Sequence, residues 1–362
     1  MIKLLIVDDS VLIRMSIEKT LRNISDIEIV GFCNNGSDVF DKVKELKPDV
    51  ITLDIEMPKM NGLEVLEKLM ETHPIPVIMV SSLTKDGSEE SVKALELGAV
   101  DIFLKPDTHN LKKGFDELIE KIRIASKAKI LNSLNGSKLR FIVNKEKHTT
   151  EIITKQNEQE SREFNEENFE PELVAIGIST GGPASLNKII PSLPEFIPFS
   201  IVIAQHMPPT FTKSLAIRLN NISKIKVKEL EDSEQIEKGI VYIAPSGFQT
   251  RIKRKFGQNI FSVEEDNSRE FLFKPCIDVL FSSASEVYKD KLLGIIMTGM
   301  GNDGTKGSKN IKNHGGKIFV QSEESCVIAS MPKSVIKENL HDKIYDLNNL
   351  SSAIMRLFLK NE

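Results

Sequence analysis

The sequence predicts an α/β protein made of two doubly wound, mainly parallel-sheet domains joined by a polar linker. Three observations carry that prediction. Short apolar runs alternate with stretches of helical period, as βα units do. The runs are nearly continuous in Ile, Leu and Val, for example Leu4–Val7 and Val174–Ile178, which suits strands covered on both faces of a sheet. The length of 362 residues allows about two domains at roughly 150 residues each.

Residues 1–125 form the first unit. Leu4–Val7, Ile27–Phe32, Val50–Leu53, Val77–Val80 and Ile102–Leu104 read as strands. Val11–Arg22, Ser37–Leu46, Leu63–Glu71, Ser88–Leu97 and Leu111–Ile124 read as the helices between and after them, with Gly or Pro near several ends. Five βα repeats place any ligand at the carboxyl ends of the strands. Over residues 126–170 the periodicity fades. A mainly basic half (Lys127, Lys129, Lys138, Arg140) passes into a mainly acidic one (Glu158, Glu160, Glu166, Glu167), which reads as a solvated interdomain linker. Residues 171–362 form a second α/β unit. Its strands are expected at Val174–Ile178, Ser200–Ala204, Ile240–Ile243, Leu292–Met297 and Lys317–Val320, with an antiparallel portion near Arg251–Val263.

Composition narrows the function classes. With 40% hydrophobic and 28% charged residues the chain has the balance of an ordinary folded protein. A net charge of −4 supplies no sequence-wide basic field, so nucleic acid is not an expected partner. Cys33, Cys276 and Cys326 are widely spaced and odd in number, which suits buried thiols in a reducing compartment rather than a disulfide or zinc framework. No apolar run approaches the ~20 residues of a membrane span, and Asp8 and Asp9 follow the first apolar run too closely for a signal peptide. A cytoplasmic address without membrane insertion is expected.

In the first unit Asp8 and Asp9 follow the first strand, Asp54 ends the third, Ser81 the fourth and Lys105 the fifth. One sheet edge collects them all. Three carboxylates there raise one another's pKa unless a cation neutralises them, and oxygen-only ligation suits Mg²⁺. Lys105 offers a charge and Ser81 a hydroxyl to a phosphoryl oxygen. Any one of these acids could equally cap a helix; five correctly placed groups point to a site.

Asp8-Asp9-Ser10, Asp54 within Leu53-Asp54-Ile55-Glu56-Met57-Pro58, Met60-Asn61-Gly62, Val80-Ser81-Ser82 and Lys105-Pro106 make this unit resemble the receiver domain of two-component response regulators, a flavodoxin-like fold. The resemblance implies that Asp54 accepts phosphate from a histidine kinase. It also implies that Asp9, Asp54 and the Glu56 carbonyl ligate Mg²⁺ with Asp8 beside them. The Lys105–Pro106 bond is a candidate cis peptide. Ile102 stands where many receivers carry an aromatic switch residue.

In the second unit Val174–Ile178 runs into Ser179-Thr180-Gly181-Gly182-Pro183. A serine between a strand end and a helix start exposes its Oγ, with outward backbone N–H groups and a helix dipole behind it. An N-cap serine would look the same. A nucleophile needs a base and an orienting acid. His206 follows the strand Ser200–Ala204, and Asp303 lies in Thr298-Gly299-Met300-Gly301-Asn302-Asp303-Gly304 after the strand Leu292–Met297, where glycines permit close backbone approach and the N–H near Met300 could hold an oxyanion. His314 and His341 are alternative bases that would keep the α/β-hydrolase order. Asp278 is an alternative acid, better placed as a helix cap. The same glycines match G-x-G-x-x-G, but an Asp in a phosphate loop opposes a pyrophosphate.

The motifs Ile176-Gly177-Ile178-Ser179-Thr180-Gly181-Gly182, Gln205-His206-Met207-Pro208-Pro209, Tyr242-Ile243-Ala244-Pro245, Ile277-Asp278-Val279-Leu280-Phe281, Thr298–Gly304 and Ala329-Ser330-Met331-Pro332, in this order behind a receiver, resemble the catalytic domain of the chemotaxis protein-glutamate methylesterases, the CheB family. The resemblance implies Ser179 as nucleophile, His206 as base and Asp303 as orienting acid; peptide N–H groups at Thr180 and Met300 are the expected oxyanion donors. The resemblance also implies hydrolysis of γ-glutamyl methyl esters and deamidation of glutamines on chemoreceptors, without a cofactor for the hydrolysis and under control of receiver phosphorylation. Ser246, Gln249 and Cys276 depart from the family pattern, which usually has Gly, His and Ser there. The alternative is a response regulator whose output domain only binds a partner.

Overall fold

The structure, a computed structural model, describes residues 1–82, 85–106, 115–128, 169–266 and 270–358. In the first unit β1 (Ile2–Val7), β2 (Ile27–Cys33), β3 (Val50–Asp54), β4 (Val77–Ser81) and β5 (Asp101–Leu104) form a sheet ordered β2-β1-β3-β4-β5. Every neighbouring pair is parallel. Helices α1 (Val11–Leu21), α2 (Val39–Leu46), α3 (Gly62–Thr72), α4 (Lys85–Glu96) and α5 (Asp116–Ala125) cover the sheet. β3 and β4 are buried along their whole length, as their mainly apolar sequence suits, with the polar ends Asp54 and Ser81 at the carboxyl edge. Two clusters fill the two faces, one around Leu5, Leu53 and Leu66, the other around Ile6, Phe103 and Ile122.

The second unit is a seven-stranded parallel sheet ordered β14-β13-β12-β6-β7-β9-β8. Its strands are β6 (Leu173–Ile178), β7 (Ser200–Gln205), β8 (Lys226–Glu229), β9 (Ile240–Ile243), β12 (Leu292–Ile296), β13 (Lys317–Gln321) and β14 (Lys343–Tyr345). β10 (Gln249–Lys255) and β11 (Gln258–Glu264) pair antiparallel as a separate hairpin, where the sequence predicts an antiparallel portion. The helices are α6 (Gly182–Ile189), α7 (Phe211–Ile222), α8 (Ile277–Tyr288), α9 (Thr305–Asn313), α10 (Ser330–Lys337) and α11 (Leu347–Arg356). From β6 the chain winds outward through β7 to β9, then returns to β12 on the other side. The strand order therefore reverses between β6 and β12, and similarly between β1 and β3 in the first sheet. Crevices at such reversals are where open α/β sheets hold ligands.

The structure adds to the sequence reading and corrects it in places. The edge strands β8 and β14 were not expected, because Lys226-Val227-Lys228-Glu229 and Lys343-Ile344-Tyr345 lack an apolar run. The cis peptide lies at Lys274–Pro275, not at Lys105–Pro106; residue type permits either isomer at any X–Pro bond and the surroundings select one. Most of the linker and the start of the helix expected at Leu111 lie outside the described residues.

The two units touch. Val92 of α4 is buried in the cluster that includes Leu186 and Leu215 of the second unit, and Phe211 of α7 is buried in a cluster of the first. Arg218 Nε meets Glu96 Oε1 at 3.0 Å. A cavity of about 290 Å³ lies between Arg123 and Lys127 of the first unit and Met300, Val327 and Lys333 of the second. Among the described residues no helix is long and apolar enough to cross a membrane.

Candidate active site and phosphoryl-acceptor site

Three parallel strands deliver the second unit's site. Ser179 leaves β6, His206 leaves β7, and the Thr298–Gly304 loop leaves β12. The Ser179 N–H donates to the Thr298 carbonyl at 2.9 Å and the His206 N–H to the Ile178 carbonyl at 3.1 Å, so the strand pairing continues into the loops. Gly181 turns the chain at φ 79° into α6, a conformation that favours glycine. A Cβ on Gly299 would lie 2.7 Å from the Ser179 Cβ and would also strike Met331. The loop after β12 can therefore lie against Ser179 only with glycine there.

His206 and Asp303, 97 residues apart, are joined at 2.9 Å through Nε2 and Oδ2. The Asp303 carboxylate also accepts the Ile277 N–H at 2.8 Å, the Asp278 N–H at 2.9 Å and the Gly304 N–H at 2.9 Å, and the Cys276 thiol lies 3.3 Å from Oδ1. Burial pushes the Asp303 pKa upward, but the hydrogen bond and charge of His206 and the α8 N–H groups outweigh it, holding the carboxyl below its usual range. An ionised carboxylate can only accept, so the shared proton sits on Nε2 and the lone pair on Nδ1. That Nδ1 is buried and has no hydrogen-bond partner. Ser179, Thr180 and Asp303 are each 8% exposed, whereas Met300 is 38% exposed. A hydroxyl, an oriented imidazole and peptide N–H groups at a helix start are the parts that acyl transfer uses.

The other candidates separate from this site. His314 ends α9, with Nδ1 on the Asn310 carbonyl at 2.9 Å, a helix length of roughly 13 Å from Asp303. Asp278 accepts the Gly307 N–H of α9 at 2.7 Å. It serves the start of α9, while Asp303, just before α9, serves the start of α8. Sequence reasoning missed the second layer. Gln205 Nε2 donates to the Ser179 carbonyl at 3.0 Å and the His206 carbonyl at 2.8 Å, and Thr298 Oγ1 donates to the Thr180 carbonyl at 2.9 Å. The Phe273 ring stacks on His206 with centroids 4.0 Å apart and planes at 12°. Gln205 and Thr298 stand inside the quoted motifs, next to His206 and Gly299, without a role read for them.

In the first unit Asp8, Asp54 and Ser81 are buried, and Asp8, Asp9 and Asp54 bring carboxylate oxygens within 4.8 Å of one another. Lys105 Nζ lies 2.7 Å from Asp54 Oδ2 and 3.4 Å from Asp8 Oδ2. Burial, then the charge of Asp8, pushes Asp54 up to about 6 against the pull of Lys105, and burial raises Asp8 as well. Asp8 Oδ2 is buried without a hydrogen bond. An all-oxygen cluster holding such an atom fits a hard divalent cation. The Glu56 N–H lies 3.3 Å from Asp54 Oδ1, with its side chain exposed. Ser81 receives the Ser91 hydroxyl of α4 at 3.0 Å. Ile102 is 1% exposed in the core, so it cannot swing as a surface aromatic would.

Residues 4–116 match the response regulator receiver domain and residues 174–354 the CheB methylesterase domain. The protein-glutamate methylesterase/protein-glutamine glutaminase of Thermotoga maritima is 40% identical over 359 residues, covering 98% of each chain. The chain belongs to the CheB methylesterase family. The enzyme of the same description from Lawsonia intracellularis is 39% identical, over 99% of this chain and 100% of its own. The crystal structure of the Thermotoga maritima CheB methylesterase catalytic domain matches with a TM-score of 0.50 and 42% identity, covering 52% of this chain and 99% of that one. As a CheB-family methylesterase, the protein is a hydrolase carrying a receiver domain, not a regulator with a merely partner-binding output domain.

Proposed function

We propose that this CheB-family methylesterase hydrolyses γ-glutamyl methyl esters on methyl-accepting chemoreceptors, and deamidates receptor glutamines, through Ser179, His206 and Asp303. Ser179 Oγ attacks the ester carbonyl while His206 Nδ1 takes its proton. The carbon–oxygen bond to methanol then breaks and methanol leaves with that proton. Water attacks the acyl-enzyme, gives a proton to His206, and the glutamate carboxyl leaves as Ser179 recovers its hydrogen. With a glutamine the leaving group is ammonia. Asp303 holds the imidazole in the Nε2–H form, and the N–H groups of Thr180 and Met300 receive the oxyanion. The observation that carries the reading is the His206–Asp303 pair, which leaves a buried, unpartnered Nδ1 at the strand ends that also carry Ser179.

The receiver is read as the switch. Asp54 takes a phosphoryl group from a histidine kinase's phosphohistidine, with Ser81 and Lys105 meeting its oxygens. Mg²⁺ would be held by Asp9, Asp54 and the Glu56 carbonyl, with Asp8 beside it; when bound it neutralises the carboxylates and the incoming phosphoryl charge. Phosphorylation shifts the receiver away from the catalytic edge. Three buried cysteines, none of them in a disulfide, suit a cytoplasmic site of action. The test is methanol release from methylated receptor membranes by Ser179→Ala. Release at the wild-type rate would remove Ser179 from the nucleophile's role. A phosphodonor with Mg²⁺ should stimulate wild type and leave Asp54→Asn unchanged.

A further inference from the structure

We infer that Gln249 and Phe273 are positioning residues that set the plane of the His206 ring, an inference that rests on His206 acting as the base. A single hydrogen bond from Nε2 to Asp303 fixes one nitrogen but leaves the imidazole free to tilt about that contact. Tilt matters because it swings the Nδ1 lone pair, and a misplacement near 1 Å can cost ~100-fold in rate. The ring face is fixed by Phe273, stacked at 4.0 Å and 12°.

Phe273 itself lies outside any helix or strand and needs a support. Gln249, at the start of β10 and 2% exposed, supplies it with both ends of one amide. Its Nε2 donates to the Phe273 carbonyl at 2.9 Å, and its Oε1 accepts the Cys276 N–H at 2.9 Å. The Gly247 N–H adds a bond to the Lys274 carbonyl at 3.0 Å. One side chain thus clamps the short segment Phe273–Cys276. At its first residue that segment presents a ring to His206. Immediately after its last it presents the Ile277 and Asp278 N–H groups to Asp303. The Gln249 clamp therefore sets the stack on the base and the cradle of the acid together. Gln249 has no bond to either residue and Phe273 meets only the face of the base; they act through His206 and Asp303.

The experiment uses the full chain with Gln249→Met, Phe273→Leu and Phe273→Tyr, measuring kcat and KM for methanol release, thermal stability, and the NMR shifts of the His206 ring protons. Methionine keeps the length of Gln249 but makes neither hydrogen bond, and leucine keeps apolar bulk without a flat face. Phe273→Leu and Gln249→Met should lower kcat by about 10-fold or more with KM within about twofold. Phe273→Tyr should restore the wild-type rate. In Gln249→Met the upfield displacement of the His206 protons by the Phe273 ring should collapse although Phe273 is still present. Wild-type shifts and kcat in Gln249→Met overturn the role of Gln249, and full kcat in Phe273→Leu overturns that of Phe273. Should Gln249→Met fail to fold, Gln249→Glu, which keeps the acceptor for the Cys276 N–H and loses the donor to the Phe273 carbonyl, tests Gln249 by the same shifts and kcat, and the Leu and Tyr pair decides Phe273. Ser179→Ala is assayed in parallel: activity retained there defeats the Ser179 reading, while the ring-proton shifts still report the clamp.

Discussion

Asp303 binds His206 Nε2 at 2.9 Å with the carboxylate that also takes the first two N–H groups of α8, so one side chain orients an imidazole and starts a helix. Asp303→Asn keeps acceptor oxygen for the helix but loses the ionised partner that selects the Nε2–H form. It should fold and lose about 10³-fold in kcat with little change in KM. Methanol release at saturating substrate measures it.

The same carboxylate links activity to acid stability. Its pKa in the folded chain is depressed below the ordinary 3.8, so folding binds fewer protons there than unfolding does. Its contribution is fully present above pH ~4 and is lost as pH falls through the depressed value. Thermal melting of wild type and Asp303→Asn should differ at pH 6, and the gap should close as pH falls below about 4. A gap constant across that range would show that charge at Asp303 adds nothing to stability.

How far the sequence led differs between the parts of the site. Ser179 and His206 were legible because each stands at the end of an apolar strand, and Asp303 because it lies in the glycine-rich loop after another; parallel strands end at one edge. The same rule located Asp8, Asp54, Ser81 and Lys105. Phe273 and Gln249 were not legible, since Phe273 sits on an irregular segment and Gln249 opens a mixed polar hairpin strand; only the packing of that hairpin against α8 brings them to His206. The Asp278 and Asp303 caps could not be told apart from sequence, because each acid serves the start of a helix.

Gly299 supports a prediction of close packing. A methyl group there would lie 2.7 Å from the Ser179 Cβ, so Gly299→Ala must push Ser179 or the Met300 loop aside. The cost should be about 1–3 kcal/mol in stability and a fall in kcat of about 10- to 100-fold. Denaturant unfolding and steady-state kinetics on one preparation test both. An alanine variant with native kcat would show that the two loops are not held in contact during turnover.

The receiver's acidic cluster should show itself thermally. Mg²⁺ held there would relieve repulsion among Asp8, Asp9 and Asp54, whose oxygens lie within 4.8 Å, and a ligand that binds only the folded state stabilises it by about 1.4 kcal/mol at ten times Kd. The receiver transition should rise by several degrees with millimolar Mg²⁺ and return with chelator. Asp9→Asn and Asp54→Asn should blunt the response, whereas Ser179→Ala should keep it. An unchanged melt in wild type would count against a cation site.

The last prediction concerns how phosphorylation is felt at the catalytic edge. Ile102 is packed in the core, so the signal needs another carrier, and α4 has the connections. At one side Ser91 donates to the hydroxyl of Ser81 at 3.0 Å, the group expected to turn toward the phosphoryl oxygens. At the other, Val92 is 2% exposed among catalytic-domain side chains and Glu96 meets Arg218 on α7, the helix that follows the His206 loop. Drawing Ser81 away from Ser91 removes a tie between α4 and the end of β4, which frees α4, the helix packed on α7, to shift. The Glu96–Arg218 pair is part-exposed and worth little alone, so Val92 carries the contact. Val92→Lys should therefore raise hydrolysis without phosphodonor several-fold and reduce stimulation by phosphodonor, since part of the population is already released. Rates with and without a small phosphodonor and Mg²⁺ measure both. Wild-type basal rate and full stimulation in Val92→Lys would place the gate on another face of the receiver.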